Sequence, residues 1–151
     1  MMIVAIDPGK KGGIAWAHGR DVIVQAMNLP LTPTSIYEAL QDIMGEGKGR
    51  CFIVLEKTGT YRAGNSGPSS VTFARHCGSL EGLMVGMGLP YTQVSPQRWQ
   101  KSMGALPKDK ALRKRKIKEI MQARYPHLKI TLATADALGI LTYELMRRRL
   151  A

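Results

Sequence analysis

The sequence predicts an α/β protein in which a mixed sheet carries helices on both faces. Three short apolar segments joined by turns come first, which is typical of an antiparallel meander. After them, helical patterns alternate with short apolar strands, and a mixed sheet covered on both faces fits that order. Neither an internal repeat nor a long linker divides residues 1–151, so we expect a single domain.

The first third of the chain predicts the meander, one helix and a buried strand. Turns rich in glycine separate three expected strands, at residues 2–7, 14–17 and 22–27. Helical spacing follows, with Thr34 or Ser35 as the cap and Gly45 at the end. The continuous apolar run at 51–55 is typical of a central strand that is buried on both faces.

A loop rich in Gly, Ser and Thr at 57–70 opens the rest of the chain. The helix expected from about Ser69 or Ser70 to Met87 carries glycines at four-residue intervals, a stripe that indicates close packing against the sheet more often than self-association: Gly78, Gly82 and Gly86. The remaining expected elements are a strand at 91–94, a helical turn opened by Ser95 and Pro96, a basic segment at 108–124, and a last helix from Thr134 to Arg149.

The charge balance points to a polyanionic partner. Lys and Arg number 22 against 11 Asp and Glu, a formal net charge of +11. This excess does not separate nucleic acid from an anionic membrane or an acidic protein, but no amphipathic helix with a bulky aromatic face favours lipid. No apolar run approaches the ~20 residues of a membrane span, and neither a signal peptide nor zinc or disulfide spacing is evident. We therefore expect a cytoplasmic nucleic-acid-binding protein without a membrane partner.

Three acidic residues occur in otherwise apolar surroundings. Asp7 and Glu56 end the two most hydrophobic strands, and Asp136 lies in the apolar start of the last helix. Singly each has an ordinary alternative, such as turn formation at Asp7 or a favourable helix dipole at Asp136. Gathered together, the three charges would repel unless a cation neutralised them. Without His or Cys partners the expected cation is Mg²⁺ or its substitute Mn²⁺, and such ions promote hydrolysis of phosphodiester bonds.

The chain resembles the RuvC-type Holliday junction resolvases, which belong to the ribonuclease H-like superfamily. The matching stretches occur in the family's order and span nearly the whole chain: residues 5–9 with Gly13, residues 54–56, residues 78–82 and residues 135–140. The short length and the segment 94–99 are more similar to phage-encoded members. The resemblance implies a ribonuclease H-like fold and a magnesium-dependent crossover junction endodeoxyribonuclease of DNA recombination and repair. It also implies a homodimer that nicks a four-way junction twice, in the cytoplasm of a bacterial host if the chain is phage-encoded.

The resemblance assigns metal binding and catalysis to Asp7, Glu56 and Asp136. The family usually has a second acid or a histidine three residues before the last of these, where this chain has Ala133. Thr134, Glu144, a backbone carbonyl or water are the alternatives for a fourth ligand, and the sequence does not choose among them.

Basic and aromatic residues predict where DNA binds. Seven basic residues cluster near the start of the basic segment, and we expect them to contact phosphates: Lys108, Lys110, Arg113, Lys114, Arg115, Lys116 and Lys118. A merely solvated face is the alternative. The loop after Glu56 contains Lys57, Tyr61 and Arg62, and in resolvases this region approaches the crossover, so that Tyr61 is a candidate for stacking on unpaired bases. We interpret Trp16 and Trp99 as packing residues.

Two other functions remain open at this level. The same three acids would serve a ribonuclease H-like nuclease that acts on flaps, RNA–DNA hybrids or RNA. A protein of another class, a non-catalytic DNA-binding protein selective for branched structures, would fit if Ala133 marks the loss of a metal site.

Overall fold

The structure, a computed structural model, describes residues 1–19, 23–59 and 66–149. Within these ranges the chain forms five strands and five helices. The strands are β1 (Met2–Asp7), β2 (Gly13–His18), β3 (Val24–Asn28), β4 (Cys51–Glu56) and β5 (Tyr91–Val94). The helices are α1 (Pro33–Glu46), α2 (Gly67–Gly86), α3 (Pro96–Lys101), α4 (Lys110–Arg124) and α5 (Leu132–Arg147).

The five strands form one mixed sheet in the order β3-β2-β1-β4-β5. The meander is antiparallel, as predicted, whereas β4 runs parallel to both β1 and β5. The third strand starts later than predicted, because its pairing with β2 begins at Val24 opposite Ala17. Ile23 lies before the strand with 69% of its surface exposed, and Val22 falls outside the described residues.

Each face of the sheet is covered by helices, as the sequence predicted. Side chains alternate along β1, so that Ile3 and Ala5 face α5 while Val4 and Ile6 face α1 and α2. Helices α3 and α4 contribute Trp99, Ile117 and neighbours to the α5 side. The strands in the middle of the sheet are therefore apolar on both faces.

Helix α5 lies against the centre of the sheet and is buried along most of its length. It begins at Leu132, two residues before the predicted start, because Thr131 is the N-cap. The hydroxyl of Thr134 accepts a hydrogen bond from the Thr131 backbone N–H, while the Thr131 hydroxyl accepts one from the Thr134 N–H. This capping box fixes the start of the helix, the part that lies nearest the candidate site.

The structure adds one helix to the predicted elements and contradicts one expectation about packing. The basic segment is a regular helix, α4, whose cap Asp109 accepts a hydrogen bond from the Leu112 N–H at 2.9 Å. The glycine stripe of α2 does not pack on the sheet, because, apart from the helix's own backbone, no atom of the described residues lies within 4 Å of a Cβ built at any of its three glycines. The helix instead buries Leu80 and Met84. Each glycine of the stripe is two positions from one of these residues, so it lies roughly 200° around the helix axis, on the opposite side.

Across the described ranges, no helix is long and apolar enough to cross a membrane.

Candidate active site

Two of the three acidic residues end adjacent parallel strands. Ile6 of β1 pairs with Leu55 of β4, so the residues that follow them, Asp7 and Glu56, lie side by side at the carboxyl edge of the sheet. Because side chains alternate, both point to the face of Ala5 and Val54, which is the face that α5 covers. Asp7 is half-buried, and Glu56 is buried with 8% of its surface exposed.

A glycine lets the start of the helix that carries the third acid lie close to this edge. Asp7 pairs with Gly13 on β2, and a Cβ built on Gly13 would lie 2.3 Å from the carbonyl oxygen of Ala133 and 3.1 Å from the Cα of Thr134. The first turn of α5 therefore lies directly on the strand pair that ends in Asp7. Asp136 follows within the next turn of the same helix.

Trp99 links the second acid to the same helix. Its indole Nε1–H donates a hydrogen bond to Oε2 of Glu56 at 2.7 Å. The ring is fully buried and packs against Gly139 of α5, where a Cβ would lie 2.5 Å from Cζ3 of the indole. Trp99 is a packing residue, as the sequence predicted, but its polar contact was missed. The available signal was that α3 follows directly on β5, whose Val94 pairs with Glu56.

The Asp136 carboxylate is partnered by a lysine of α4. Nζ of Lys114 lies 3.6 Å from Oδ2 of Asp136, whose side chain is 13% exposed. Burial raises the pKa of Asp136, and the nearby charges of Lys114 and Arg113 oppose that rise. Lys114, which the sequence assigned to DNA contact, thus points toward the carboxylate edge.

The donor chemistry of the three acids fits a hard divalent cation, since all three offer carboxylate oxygens. Within the described ranges, however, no three His, Cys, Asp or Glu side chains are grouped so that they could hold a metal ion. Asp7 and Glu56 are neighbours in the sheet, whereas the cation beside Asp136 is the Lys114 ammonium. The arrangement is that of two adjacent carboxylates with a third one turned toward a lysine.

The structure also locates the alternatives for a fourth ligand. The Thr134 hydroxyl is buried and engaged in the capping box with Thr131. Glu144 lies eight residues beyond Asp136, roughly 12 Å along the helix, and its buried carboxylate accepts hydrogen bonds from Arg147 and Arg148. Burial raises the pKa of Glu144, but the two guanidinium groups outweigh that effect and the pKa is lowered overall. Both side chains therefore have structural roles where they lie.

The predicted DNA-contacting residues lie mainly on α4 and just before it. Exposed on this surface are Lys108, Lys110, Arg115 and Lys116. Lys118 is half-buried, and so is Arg113, whose guanidinium donates to the carbonyl oxygen of Lys108 at 2.8 Å. Lys57 is exposed directly after Glu56. Tyr61 and Arg62 lie outside the described residues.

Comparison with known proteins identifies the fold. No protein-family model and no curated protein matches the sequence. The structure is similar to that of RuvC from Thermus thermophilus, with a TM-score of 0.66 and 14% identity over 99% of this chain and 96% of that one. It is also similar to T. thermophilus RuvC in complex with a Holliday junction substrate, with a TM-score of 0.63 and 15% identity over 100% and 97% of the two chains. The five-stranded sheet with its helices is the ribonuclease H-like fold of RuvC, as the sequence predicted.

Proposed function

We propose that the chain is a divalent-metal-dependent endonuclease that resolves four-way or otherwise branched DNA. The observation that carries this proposal is the pairing of Asp7 and Glu56 at one sheet edge beneath the helix that carries Asp136. The ribonuclease H-like fold supports it, and one structure with that fold is RuvC bound to a Holliday junction substrate. The proposal includes that the chain is a phage-type member of the resolvases.

Asp7, Glu56 and Asp136 would hold Mg²⁺, with Mn²⁺ as a substitute. When bound, the ion supplies Lewis-acid stabilisation of the phosphate and activates water for hydrolysis. Asp7 and Glu56 fix one side of the site through the strand register. Nζ of Lys114 lies 3.6 Å from Oδ2 of Asp136, so a cation held by this carboxylate would compete with the ammonium, which could then bind a DNA phosphate.

Helix α4 would bind the DNA backbone beside the metal site. Because Lys114 reaches Asp136 from this helix, a strand that follows the basic surface passes close to the carboxylates. We assign phosphate contacts to the basic residues predicted above, together with Lys57, and the affinity should fall steeply as salt rises. Tyr61 and Arg62 are proposed to contact the crossover.

We also infer a homodimer, since a junction with two-fold symmetry calls for two symmetric cuts. The resemblance to resolvases supports it.

A non-catalytic, structure-selective DNA-binding protein is the second candidate. The contact between Lys114 and Asp136 favours it, as does the alanine at position 133, because both reduce the number of carboxylates open to a metal. This candidate predicts tight junction binding in EDTA and no cleavage after Mg²⁺ or Mn²⁺ is added.

The deciding experiment measures cleavage of a labelled four-way junction, a flap, an RNA–DNA hybrid and a matched duplex under single-turnover conditions. The wild type is compared with Asp7→Asn and with Asp42→Asn, a control that neutralises an exposed acid of α1. We expect paired nicks in the junction with Mg²⁺, loss of cleavage in Asp7→Asn, and wild-type rates in Asp42→Asn. Cleavage by Asp7→Asn at the parental rate would refute the site. Preferred cleavage of flaps or hybrids would indicate a different ribonuclease H-like nuclease.

A further inference from the structure

The chain has two tryptophans, and each donates its indole N–H to a glutamate. Nε1 of Trp16 lies 3.0 Å from Oε2 of Glu46, an exposed residue at the end of α1. Nε1 of Trp99 lies 2.7 Å from Oε2 of Glu56, and both residues are buried. Only the second pair involves an acid of the candidate site. The two pairs therefore offer the same contact in two different settings.

The Trp99 ring is fixed from two sides. Gly139 of α5 leaves space for the indole, since a Cβ there would lie 2.5 Å from Cζ3 of Trp99 and 2.7 Å from Cε of Met103. At its other end, α3 begins immediately after β5, the parallel neighbour of β4. The direction of the N–H is thus set by the packing of α3 between the sheet edge and α5.

An indole N–H can only donate a hydrogen bond, so it stabilises the ionised carboxylate and fixes its orientation. We infer that Trp99 is a positioning residue for the proposed metal site: it holds the Glu56 carboxylate in the orientation in which that group binds a divalent cation. This inference rests on the proposed function. Loss of a partner that orients a metal-binding carboxylate typically weakens metal affinity by ~10–100-fold.

The test replaces one N–H group and leaves the ring shape intact. In a Trp16→Phe variant the remaining tryptophan is Trp99. Biosynthetic incorporation of β-(3-benzothienyl)alanine, which has sulfur in place of the indole N–H, then changes that one residue. We expect Mn²⁺ affinity, measured by titration calorimetry without DNA, to fall by ~10–100-fold relative to Trp16→Phe. Trp99→Phe in the native background should show a loss of the same size, while Trp16→Phe alone should bind as the wild type does.

Fluorescence gives a second, independent measure of Mn²⁺ binding beside Trp99. In Trp16→Phe, Mn²⁺ should quench the emission of Trp99 with the affinity found by calorimetry, and Asp7→Asn should abolish this quenching. Equal Mn²⁺ affinities for the indole and benzothiophene proteins would overturn the role of Trp99 and leave the proposed nuclease intact. Absence of Mn²⁺ binding in the wild type as well would overturn the proposed metal site and this inference together.

Discussion

Replacement of glycine by alanine should have opposite effects on stability at two positions. It should destabilise the fold at Gly13, which contacts α5, and stabilise it at Gly45. At Gly13 the new methyl group would lie 2.3 Å from the Ala133 carbonyl oxygen and 3.1 Å from the Thr134 Cα. These are backbone atoms, which cannot rotate away as a flexible side chain can. Overpacking costs typically ~1–3 kcal/mol, and we expect Gly13→Ala at the upper end because α5 itself must shift.

Gly45→Ala is the matched control. Gly45 lies in the last turn of α1, and outside the backbone of that helix none of the described residues has an atom within 4 Å of a Cβ built there. Alanine loses less backbone entropy on folding than glycine does, so this variant should be more stable than the wild type by up to about 1 kcal/mol.

Thermal unfolding measures both effects. At roughly 2–4 °C per kcal/mol for a chain of this size, Gly13→Ala should lower Tm by roughly 6–12 °C and Gly45→Ala should raise it by a few degrees. Gly13→Ala should also bind Mn²⁺ more weakly, because the shift moves Asp136 away from Asp7. A Gly13→Ala variant that melts within a degree of the wild type would show that α5 does not lie on this strand pair, and the placement of Asp136 would fail with it.

Charge substitutions test the surroundings of the site. Lys114→Met leaves the half-buried Asp136 without its closest cation, at a cost of about 1–3 kcal/mol. Since the pKa of Asp136 then rises further above its unfolded value, the loss should be larger at pH 7 than at pH 4 in urea unfolding. Glu144→Gln should cost about 1.5–3 kcal/mol at pH 7; because the pKa of Glu144 is lowered in the fold, the difference from wild type should shrink as pH falls below about 4.5. Lys110→Gln and Arg115→Gln should each reduce the salt dependence of junction binding by about one unit of slope in log K against log salt, and equal slopes would remove α4 from the interface.

Most of the fold could be predicted because its central strands are continuous apolar runs between turns. The bounds of β1 match the predicted 2–7, and β4 extends the predicted 51–55 by the single residue Glu56. Helix α4 gives a weaker signal, since it buries little besides Ile117 and Met121 among many charged residues. The glycine spacing in α2 correctly marked one face of a helix, but spacing alone does not specify what that face contacts.

The site could be predicted only where strand order determines it. Asp7 and Glu56 end two strands, so their proximity follows once those strands are neighbours. The contacts of Trp99 with Glu56 and of Lys114 with Asp136 depend instead on how α3 and α4 pack against α5. That packing joins residues 43 and 22 positions apart in the chain, and no local pattern specifies it.

Position 133 allows a test in which a substitution should strengthen metal binding instead of weakening it. Ala133 precedes Asp136 by three residues, so the two lie on the same side of α5, and its backbone contacts Gly13, the strand partner of Asp7. An aspartate there would add a fourth carboxylate beside the proposed site. The first turn of a helix favours a negative charge by ~0.3–1 kcal/mol, so the fold should accept Ala133→Asp. Leu132→Asp is the control, because Leu132 lies in the same turn but is 49% exposed.

In Ala133→Asp the new carboxylate lies on the side of Asp136, whereas in Leu132→Asp it lies at an exposed position. The two variants should therefore respond differently to metal. In EDTA, Ala133→Asp should melt at a lower temperature than Leu132→Asp, because its carboxylate repels that of Asp136 across one helical turn. In Mn²⁺ the order should reverse, since a ligand that binds the folded state raises Tm by mass action. Calorimetry should then show tighter Mn²⁺ binding, or a second ion, for Ala133→Asp alone. If the two variants respond to Mn²⁺ alike, residue 133 does not face the metal site, and the alanine there cannot explain a reduced ligand set.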